Sequence, residues 1–339
     1  MKKLRIIDSI ESIDAQKWEV FVQNHPNGNI FQSNHFYRIY RETEGYDPLA
    51  LFVLDENDEI VGLQVSVIIR LFNNLLDRVS SRSIIFGGPL ILDDDKSILE
   101  FLLTEYNSRI QGKVILSQYR NMWDTSTMKQ VFSDHDFNLE DHLDILIDLS
   151  QGEEKVWEGM KRARRKNIRK AYGSNVITRQ IDLNEDANLQ KVYDLIKVVY
   201  KRIKLPLHPF SFFKNSVSTL GDRMICLGLF HENEMIAARI VLGYKKLLYD
   251  WYAGADNDKL NLRPNDVLPW EVMRFGAANS YEKFDFGGAG KPNVPYGVRD
   301  HKMKFGGELV NYGRYEKIHS PLIYKCAVAA IELKKKIFN

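Results

Sequence analysis

The sequence predicts a mixed α/β protein with two tandem domains built on one duplicated plan. Three observations predict it: the length, a hairpin pattern that occurs twice in one register, and a matched series of strands and helices behind each hairpin. A chain of 339 residues exceeds what one small core organises, since domains run to about 100–200 residues. Its composition, 44% hydrophobic and 27% charged, is that of a globular protein, and no apolar run approaches the roughly 20 residues of a membrane span.

The hairpins come first. Phe52-Val53-Leu54 and Ile60-Val61-Gly62-Leu63-Gln64-Val65 flank the polar turn Asp55-Glu56-Asn57-Asp58-Glu59, and β-branched runs around such a turn read as paired strands. Residues 227–230 and 235–241 flank His231-Glu232-Asn233-Glu234 in the same way. Pairing Asn57 with Asn233 also pairs Ile60 with Ile236, so the register is shared.

Behind each hairpin lies an apolar strand ending in glycine, Ile84-Ile85-Phe86-Gly87-Gly88-Pro89 and Tyr249-Asp250-Trp251-Tyr252-Ala253-Gly254. Helix-like stretches over 95–110 and 266–280 follow, then strands at Val114-Ile115-Leu116-Ser117 and Lys283-Phe284-Asp285-Phe286. The offset between copies is smaller here, which implies a longer loop in the first half, over 71–82. A matched series of this kind argues for duplication.

The boundary is expected after residue 147, giving domains over 1–147 and 148–316. A strand ends at Ile147-Asp148-Leu149, Ser150 is placed to cap a helix over 153–172, and Gly173 stops it. Residues 317–339 read as a helix with apolar Ile323, Ala327, Ala330, Ile331 and Leu333 and a Lys334-Lys335-Lys336 end that suits the helix dipole. It is expected to pack back on the first domain.

A formal net charge of +2 demands no polyanionic partner, so any phosphate or nucleic-acid role rests on local clustering. The two cysteines, Cys226 in an apolar run and Cys326 in the tail, give neither a disulfide framework nor a metal-ligand spacing, and no metal is expected. The start, Met1-Lys2-Lys3-Leu4-Arg5-Ile6-Ile7-Asp8, carries an acid where a signal peptide needs apolar residues, so a cytoplasmic location is expected.

One basic cluster exists: seven of the ten residues from 161 to 170 are Lys or Arg. On a helix, Lys161, Arg162, Arg165, Lys166 and Arg169 share one side, with Val156, Trp157, Met160, Ala163, Ile168 and Ala171 on the other. Like charges this dense repel, whereas closely spaced phosphates are neutralised by such a row. Arg162, Arg165, Lys166 and Arg169 are therefore candidate contacts for a tRNA backbone, a precursor diphosphate or an anionic membrane. A solvated face is the plainer alternative.

The most informative stretch contains Tyr249-Asp250-Trp251-Tyr252-Ala253-Gly254-Ala255-Asp256, Leu268-Pro269-Trp270, Phe284-Asp285-Phe286-Gly287-Gly288-Ala289-Gly290 and His301-Lys302-Met303-Lys304-Phe305-Gly306-Gly307-Glu308. Ile30-Phe31-Gln32-Ser33 and Asp148-Leu149-Ser150 precede it, and Tyr312-Gly313-Arg314-Tyr315 follows. In this order the motifs resemble the Fem-type aminoacyltransferases and their relatives among GNAT-like acyltransferases of polysaccharide clusters, over nearly the whole chain. The resemblance implies two tandem GNAT-like domains. They are of the compact form, since no heptad-like insertion for a coiled-coil arm lies between Val176 and Met224.

The resemblance also implies transfer of an aminoacyl group from an aminoacyl-tRNA to the amine of a peptidoglycan-precursor peptide, nucleotide- or lipid-linked. It implies no cofactor and no stable protein partner; a place at the inner membrane surface is a further expectation. Lys302 aligns with the lysine of similar enzymes that faces the developing oxyanion, where a fixed ammonium lowers the barrier. His301 departs from the pattern, which has an aromatic residue there. Arg202 resembles the arginine that grips the precursor diphosphate, although residues 205–209 do not follow the family. Arg41 is the choice, over Arg38, for the basic residue of the first domain, and Tyr252 aligns with a cleft tyrosine. Asp285, Gly287 and Gly288 end a strand where ligands approach α/β sheets, and Lys291 and Lys304 are further candidates for substrate contacts. Without the resemblance, Lys302 and Lys304 are two surface lysines of a turn.

Two other readings remain open. A CoA-dependent N-acyltransferase acting on a cell-wall or exopolysaccharide sugar precursor, with acetyl-CoA as donor, needs a glycine-rich turn whose N–H groups cradle a diphosphate at a helix start. The chain has Leu260-Asn261-Leu262-Arg263-Pro264-Asn265-Asp266 and Leu92-Asp93-Asp94-Asp95-Lys96 there, which are poor cradles. A noncatalytic precursor-binding protein is the third reading. Asp285-Phe286-Gly287 does not signal a protein kinase, because the other kinase motifs are missing upstream.

Overall fold

The computed structural model describes residues 3–70, 81–326 and 329. The chain divides into two compact units, one of Met1–Asp141 with Tyr312–Asn339 and one of His142–Asn311.

The first unit contains β1 (Arg5–Ile7), α1 (Ala15–Asn24), α2 (Asn34–Arg41), β2 (Tyr46–Leu54), β3 (Ile60–Ile69), β4 (Arg82–Phe86), β5 (Leu90–Ile91), α3 (Lys96–Ile110), β6 (Leu116–Arg120), α4 (Lys129–Asp134) and β7 (Asn138–Glu140). Its sheet runs β1-β2-β3-β4-β6, then a returning strand, Arg314–Ile318, then β7, with β5 on β3. The hairpin forms as expected: Phe52 faces Leu63 and Leu54 faces Ile60. The Asp55 carboxylate fixes the turn by accepting from the N–H groups of Asn57 and Glu59, both at 2.9 Å. β4 and β6 are parallel, which requires a crossover, and α3 supplies it. Ile98, Leu102 and Tyr106 recur at a spacing of four on α3 and are buried, each stabilising the unit by about 1.5–3 kcal/mol. Of the loop expected over 71–82, residues 71–80 lie outside the described residues.

The second unit contains β8 (Leu143–Asp148), α5 (Glu153–Gly159), α6 (Arg162–Tyr172), β9 (Ile177–Gln180), α7 (Asp186–Arg202), α8 (Phe210–Leu220), β10 (Met224–His231), β11 (Glu234–Tyr244), β12 (Leu247–Ala255), α9 (Pro264–Ala278), β13 (Lys283–Asp285), α10 (Gly297–Lys302) and β14 (Glu308–Asn311). Its sheet runs β9-β10-β11-β12-β13-β8-β14. The core lies between this sheet and α9, which buries Val267, Val272 and Met273.

The two sheets match position by position. In each, the fourth and fifth strands are the parallel pair, β4 with β6 and β12 with β13, and the remaining neighbours on the path are antiparallel. The chain is thus a tandem of two GNAT-like domains with one topology. The sixth strand of each sheet comes from the other half of the chain: β8, which follows β7, joins the second sheet, and Arg314–Ile318, which follows β14, returns to the first.

That exchange displaces the boundary from the expected 147/148. β8 alternates buried and less buried residues, a pattern equally suited to either sheet, so local sequence does not reveal which one takes it. The expected helix over 153–172 is also two helices. Met160 and Lys161 are extended between α5 and α6, and the Lys161 N–H bonds the Lys304 carbonyl at 3.0 Å instead of continuing a helix. Ser150 does not cap α5; its hydroxyl bonds Asp148 Oδ1 at 2.6 Å, and Gly152 holds the cap position. Residues 317 and 318 are strand and 321–326 are helical; Ala327, Ala330, Ile331, Leu333 and the three lysines lie outside the described residues. Among the described residues no helix is long and apolar enough to cross a membrane.

Candidate active site at the strand splay of the second unit

The parallel pairing of β12 with β13 extends from Leu247–Lys283 to Tyr249–Asp285 and ends there. Past it, the N–H groups of Phe286 and Ala289 bond the carbonyls of Ile145 and Leu143 on β8, at 2.9 and 2.7 Å, so the chain leaves β12 and a gap opens. β12 bulges at the same place: Val241 faces Asp250 and Ile240 faces Tyr252, leaving Trp251 unpaired. A gap at the carboxyl ends of parallel strands is where α/β sheets receive ligands.

Lys302, the last residue of α10, reaches this gap. Its Nζ donates to the carbonyls of Phe286, Gly287 and Gly288, at 2.5, 3.1 and 3.1 Å, and lies 5.4 Å from the Phe286 ring centroid. Three convergent carbonyls require a tight loop, and Gly287 supplies it with φ +71°. Behind Lys302, Gly307 has φ +90°, and a Cβ there would sit 2.6 Å from the Leu146 carbonyl oxygen. The Gly306-Gly307 pair thus lets the chain pass against β8. Burial lowers the pKa of the Lys302 ammonium, and the carboxylates of Asp250, Asp144 and Asp285 oppose that shift.

Asp285 is buried and accepts the Gly287 N–H at 2.7 Å. Burial, then the neighbouring Asp144 carboxylate, raises its pKa well above the usual carboxylate range. Asp250 pairs with Arg239 of β11 at 2.6 Å, the two side chains being 12% and 9% exposed. Arg239 and Lys302 thus stand among the carboxyl groups of Asp250, Asp144 and Asp285, the company of opposite charge that buried ions need.

A second cluster surrounds the start of α9. Arg164, 4% exposed, forms an ion pair with Asp266, donates to the His301 carbonyl at 3.0 Å and lies 4.3 Å from the Phe305 ring centroid. His301 Nδ1 meets the Arg164 guanidinium at 3.1 Å and its Nε2 meets the Asn265 carbonyl at 3.2 Å, the pattern of a neutral ring protonated on Nε2. Burial and then Arg164 lower its pKa to about 4. Arg164, Asp266, His301 and Asn265, with Arg263 and Lys304, border a cavity of about 340 Å³.

The sequence residues divide accordingly. Lys302, Asp285, Gly287 and Gly288 come together at the splay, and Lys304 borders the second cavity. Tyr252 is 7% exposed within an aromatic cluster, 4.8 Å from Phe213 and 5.8 Å from Tyr200. Arg202 ends α7, exposed, and bonds Asn257 Oδ1 at 2.5 Å. Lys291 is an exposed loop residue. Arg162, Lys166 and Arg169 are exposed on α6 and Arg165 is half-buried, while Ala163, expected on the apolar side, is exposed. Arg41 belongs to the first unit, exposed and 3.9 Å from Glu11.

Arg164, Asp266, Arg239 and Asp250 were not singled out by sequence. A signal existed for two of them. Arg164, Ile168 and Ala171 recur at helical spacing, which puts Arg164 on the apolar face of its basic helix, and Arg239 is the lone charge in the apolar run 235–241.

The fold defines the class, a tandem GNAT-like protein. A family model described as an acetyltransferase (GNAT) domain matches residues 158–303, from the end of α5 to just past Lys302. Among solved structures, that of FemX has a TM-score of 0.73 at 13% identity, covering 95% of this chain and 99% of that one. The C-terminal domain of a putative lysylphosphatidylglycerol synthetase from Agrobacterium fabrum has a TM-score of 0.60 at 12% identity, covering 94% and 96%. A tandem GNAT protein from the clavulanic acid biosynthesis pathway has a TM-score of 0.58 at 8% identity, covering 94% and 99%. No curated protein matches the sequence. The likeness to Fem-type proteins is therefore a likeness of fold over the whole chain, and with the domain match it supports an acyl- or aminoacyl-transferase.

Proposed function

We propose that the protein transfers an aminoacyl group from an aminoacyl-tRNA to the amine of a peptidoglycan-precursor peptide. Lys302 is the cation that faces the oxyanion of the tetrahedral intermediate. The observation that carries this reading is the Lys302 ammonium at the splay of β12 and β13, largely withdrawn from water, where its attraction for a developing negative charge is screened less than in bulk solvent. In the resting arrangement three carbonyls take its hydrogens, so the oxyanion displaces or shares one of them. Arg202 serves the precursor diphosphate, and the exposed cations of α6 serve the tRNA backbone. The donor ester needs no cofactor. The reaction takes place in the cytoplasm, on a soluble or lipid-linked precursor at the inner membrane surface.

A CoA donor is the second reading. It is disfavoured by the first turn of α9, where Pro264 lacks an N–H and the N–H groups of Asp266 and Val267 bond the Arg263 carbonyl at 2.9 and 3.1 Å. The buried Asp266 side chain, paired with Arg164, also occupies the helix start that would otherwise attract a diphosphate. The test is to incubate the protein with precursors and either charged tRNA or acetyl-CoA, and to read product mass. An aminoacyl increment is expected. An acetyl increment with acetyl-CoA alone would put the CoA reading in its place, and precursor binding without product would favour a noncatalytic holder.

A further inference from the structure

The end of α7 carries apolar side chains into solvent among cations. Val198, Ile203 and Leu205 are 40%, 47% and 57% exposed, and Lys197, Lys201, Arg202 and Lys204 beside them are exposed as well. No Asp or Glu occurs between Asp194 and Asp222. Single exposed aliphatics are ordinary, whereas three within eight residues, each next to a cation, form a patch of the kind that marks an interaction surface.

The backbone holds this turn in place. Past Arg202, Lys204 takes φ +55°, its N–H bonds the Lys201 carbonyl at 3.3 Å, and the Leu205 N–H bonds the Tyr200 carbonyl at 3.1 Å. This is a helix end of the Schellman type, in which the residue at the place of Leu205 commonly packs back on the last helical turn; here it stays in solvent. Pro206 follows and keeps the helix from resuming. The Tyr193 hydroxyl donates to the His208 carbonyl at 3.1 Å, fastening the far side of the loop to α7, so residues 201–206 stand out as one exposed turn.

Two polyanions suit cations at this density, a nucleic acid and a bilayer with anionic headgroups, and the aliphatic side chains decide between them. A phosphodiester backbone gives Ile203 and Leu205 nothing to bury against, and neither has a ring to stack on a base. A bilayer offers the acyl boundary to the aliphatic tips and, just above it, phosphates within reach of the lysine and arginine stems. The turn that holds Asn257, the partner of Arg202 at 2.5 Å, adds Asp258 and Lys259, whose charges offset each other.

We propose that residues 201–206, together with Val198, seat the protein on an anionic bilayer, and that the acceptor is accordingly the lipid-linked precursor. The choice of acceptor rests on the transfer reading above; the bilayer contact does not. Arg202 lies within the turn, and the diphosphate of a lipid-linked precursor stands at headgroup level, because its charges stay in water while its lipid is buried. Seating the turn brings the arginine to the depth of that diphosphate.

Co-sedimentation of the full chain with vesicles of phosphatidylcholine, alone or with about 30% phosphatidylglycerol, reads the contact. The mixed vesicles are expected to bind at least tenfold more tightly. Ile203→Ser with Leu205→Ser should lower that affinity at least tenfold, and Lys201→Gln with Lys204→Gln at least threefold with a flatter salt dependence. Val20→Ser, at an equally exposed aliphatic of α1, should leave it unchanged, and because every position changed is exposed, urea midpoints should stay near that of the unmodified protein. Absence of binding to the mixed vesicles overturns the bilayer contact, as does affinity that the paired serine variant retains in full. A loss of tRNA affinity in the paired glutamine variant with vesicle binding intact would make the turn a nucleic-acid surface instead. With the donor supplied, kcat/KM for a lipid-linked precursor in mixed vesicles is expected to exceed that for its soluble nucleotide-linked counterpart at least tenfold, and the paired serine variant should lose that ratio; equal values in the unmodified protein overturn the lipid-linked acceptor. Vesicle binding through the turn, with no acyl product from any donor, supports the bilayer contact and counts against the transfer reading alone.

Discussion

The Lys302 ammonium and the Phe286 carbonyl oxygen are 2.5 Å apart, which ties the end of α10 to the loop that leaves β12. Because Lys302 also reaches Gly287 and Gly288, its removal deletes a cation and frees the loop together. Lys302→Ala is expected to lower kcat at least tenfold with precursor Kd nearly unchanged, the signature of a group that acts on the transition state. Lys302→Arg should fare little better, since a planar guanidinium does not fit three convergent acceptors. Steady-state kinetics beside calorimetric binding checks both; full activity in Lys302→Ala would remove this lysine from the chemistry.

Arg164 and Asp266 form a buried ion pair, and losing one partner leaves the other charge uncompensated. Arg164→Met or Asp266→Ala is expected to cost about 3–5 kcal/mol in urea unfolding. The double change Arg164→Met with Asp266→Leu should recover most of it. Arg162→Ala, two residues away but exposed, should stay within about 0.5 kcal/mol. The contrast separates the structural arginine of α6 from its surface ones.

His301 is neutral between Arg164 and Asn265, and its pKa is lowered from 6.5 to about 4. The unfolded chain therefore binds more protons than the folded one between these values. The stabilising contribution is present above about pH 6.5 and is lost as pH falls through about 4. For a ring that is partly open to solvent the loss is on the order of 1–2 kcal/mol. His301→Phe, which restores an aromatic residue, should flatten the acid limb of stability in this window, as urea midpoints at pH 7, 5.5 and 4.5 would register.

Much of the fold was legible because its signals are local. The two hairpins, the crossover helices and the parallel strands each carry a period or a turn of their own. The exchange of β8 and Arg314–Ile318 carries none, since a half-buried strand reads the same in either sheet. At the site, the glycines and Lys302 were found through motif order. Asp250 and Arg239 were passed over because their meaning lies in a bulge and in cross-strand pairing between residues eleven apart. Gln32 shows the converse. Its motif contributed to the resemblance, and in the first unit its amide is spent on Val65 N at 2.7 Å, Val65 O at 3.2 Å and Phe86 O at 2.8 Å, which fastens β3 and β4.

That assignment of Gln32 is itself testable. The residue is fully buried, so Gln32→Leu leaves backbone groups of Val65 and Phe86 unbonded and is expected to cost about 2–4 kcal/mol. An unfolding shift of that size with kcat intact at a temperature where the variant is folded fits a structural tie. A selective fall in kcat with little change in stability would instead give the motif a direct part in the reaction.

The exposed face of α6 yields a prediction of a different kind, because its cations contribute little to folding. The ion pair with Asp266 belongs to Arg164, which leaves Arg162, Arg165 and Arg169 for other partners, and Arg169 adds a cation–π interaction 5.3 Å from the Trp157 ring centroid. Replacing all three by Glu should weaken tRNA binding and reduce the slope of log affinity against log salt by about 3, one for each phosphate no longer neutralised. If the face meets an anionic membrane instead, the loss should appear with phosphatidylglycerol vesicles and leave tRNA affinity unchanged. Salt-dependent affinities that stay the same for both ligands would make this face a solvated one, and the tRNA would then have to be gripped elsewhere.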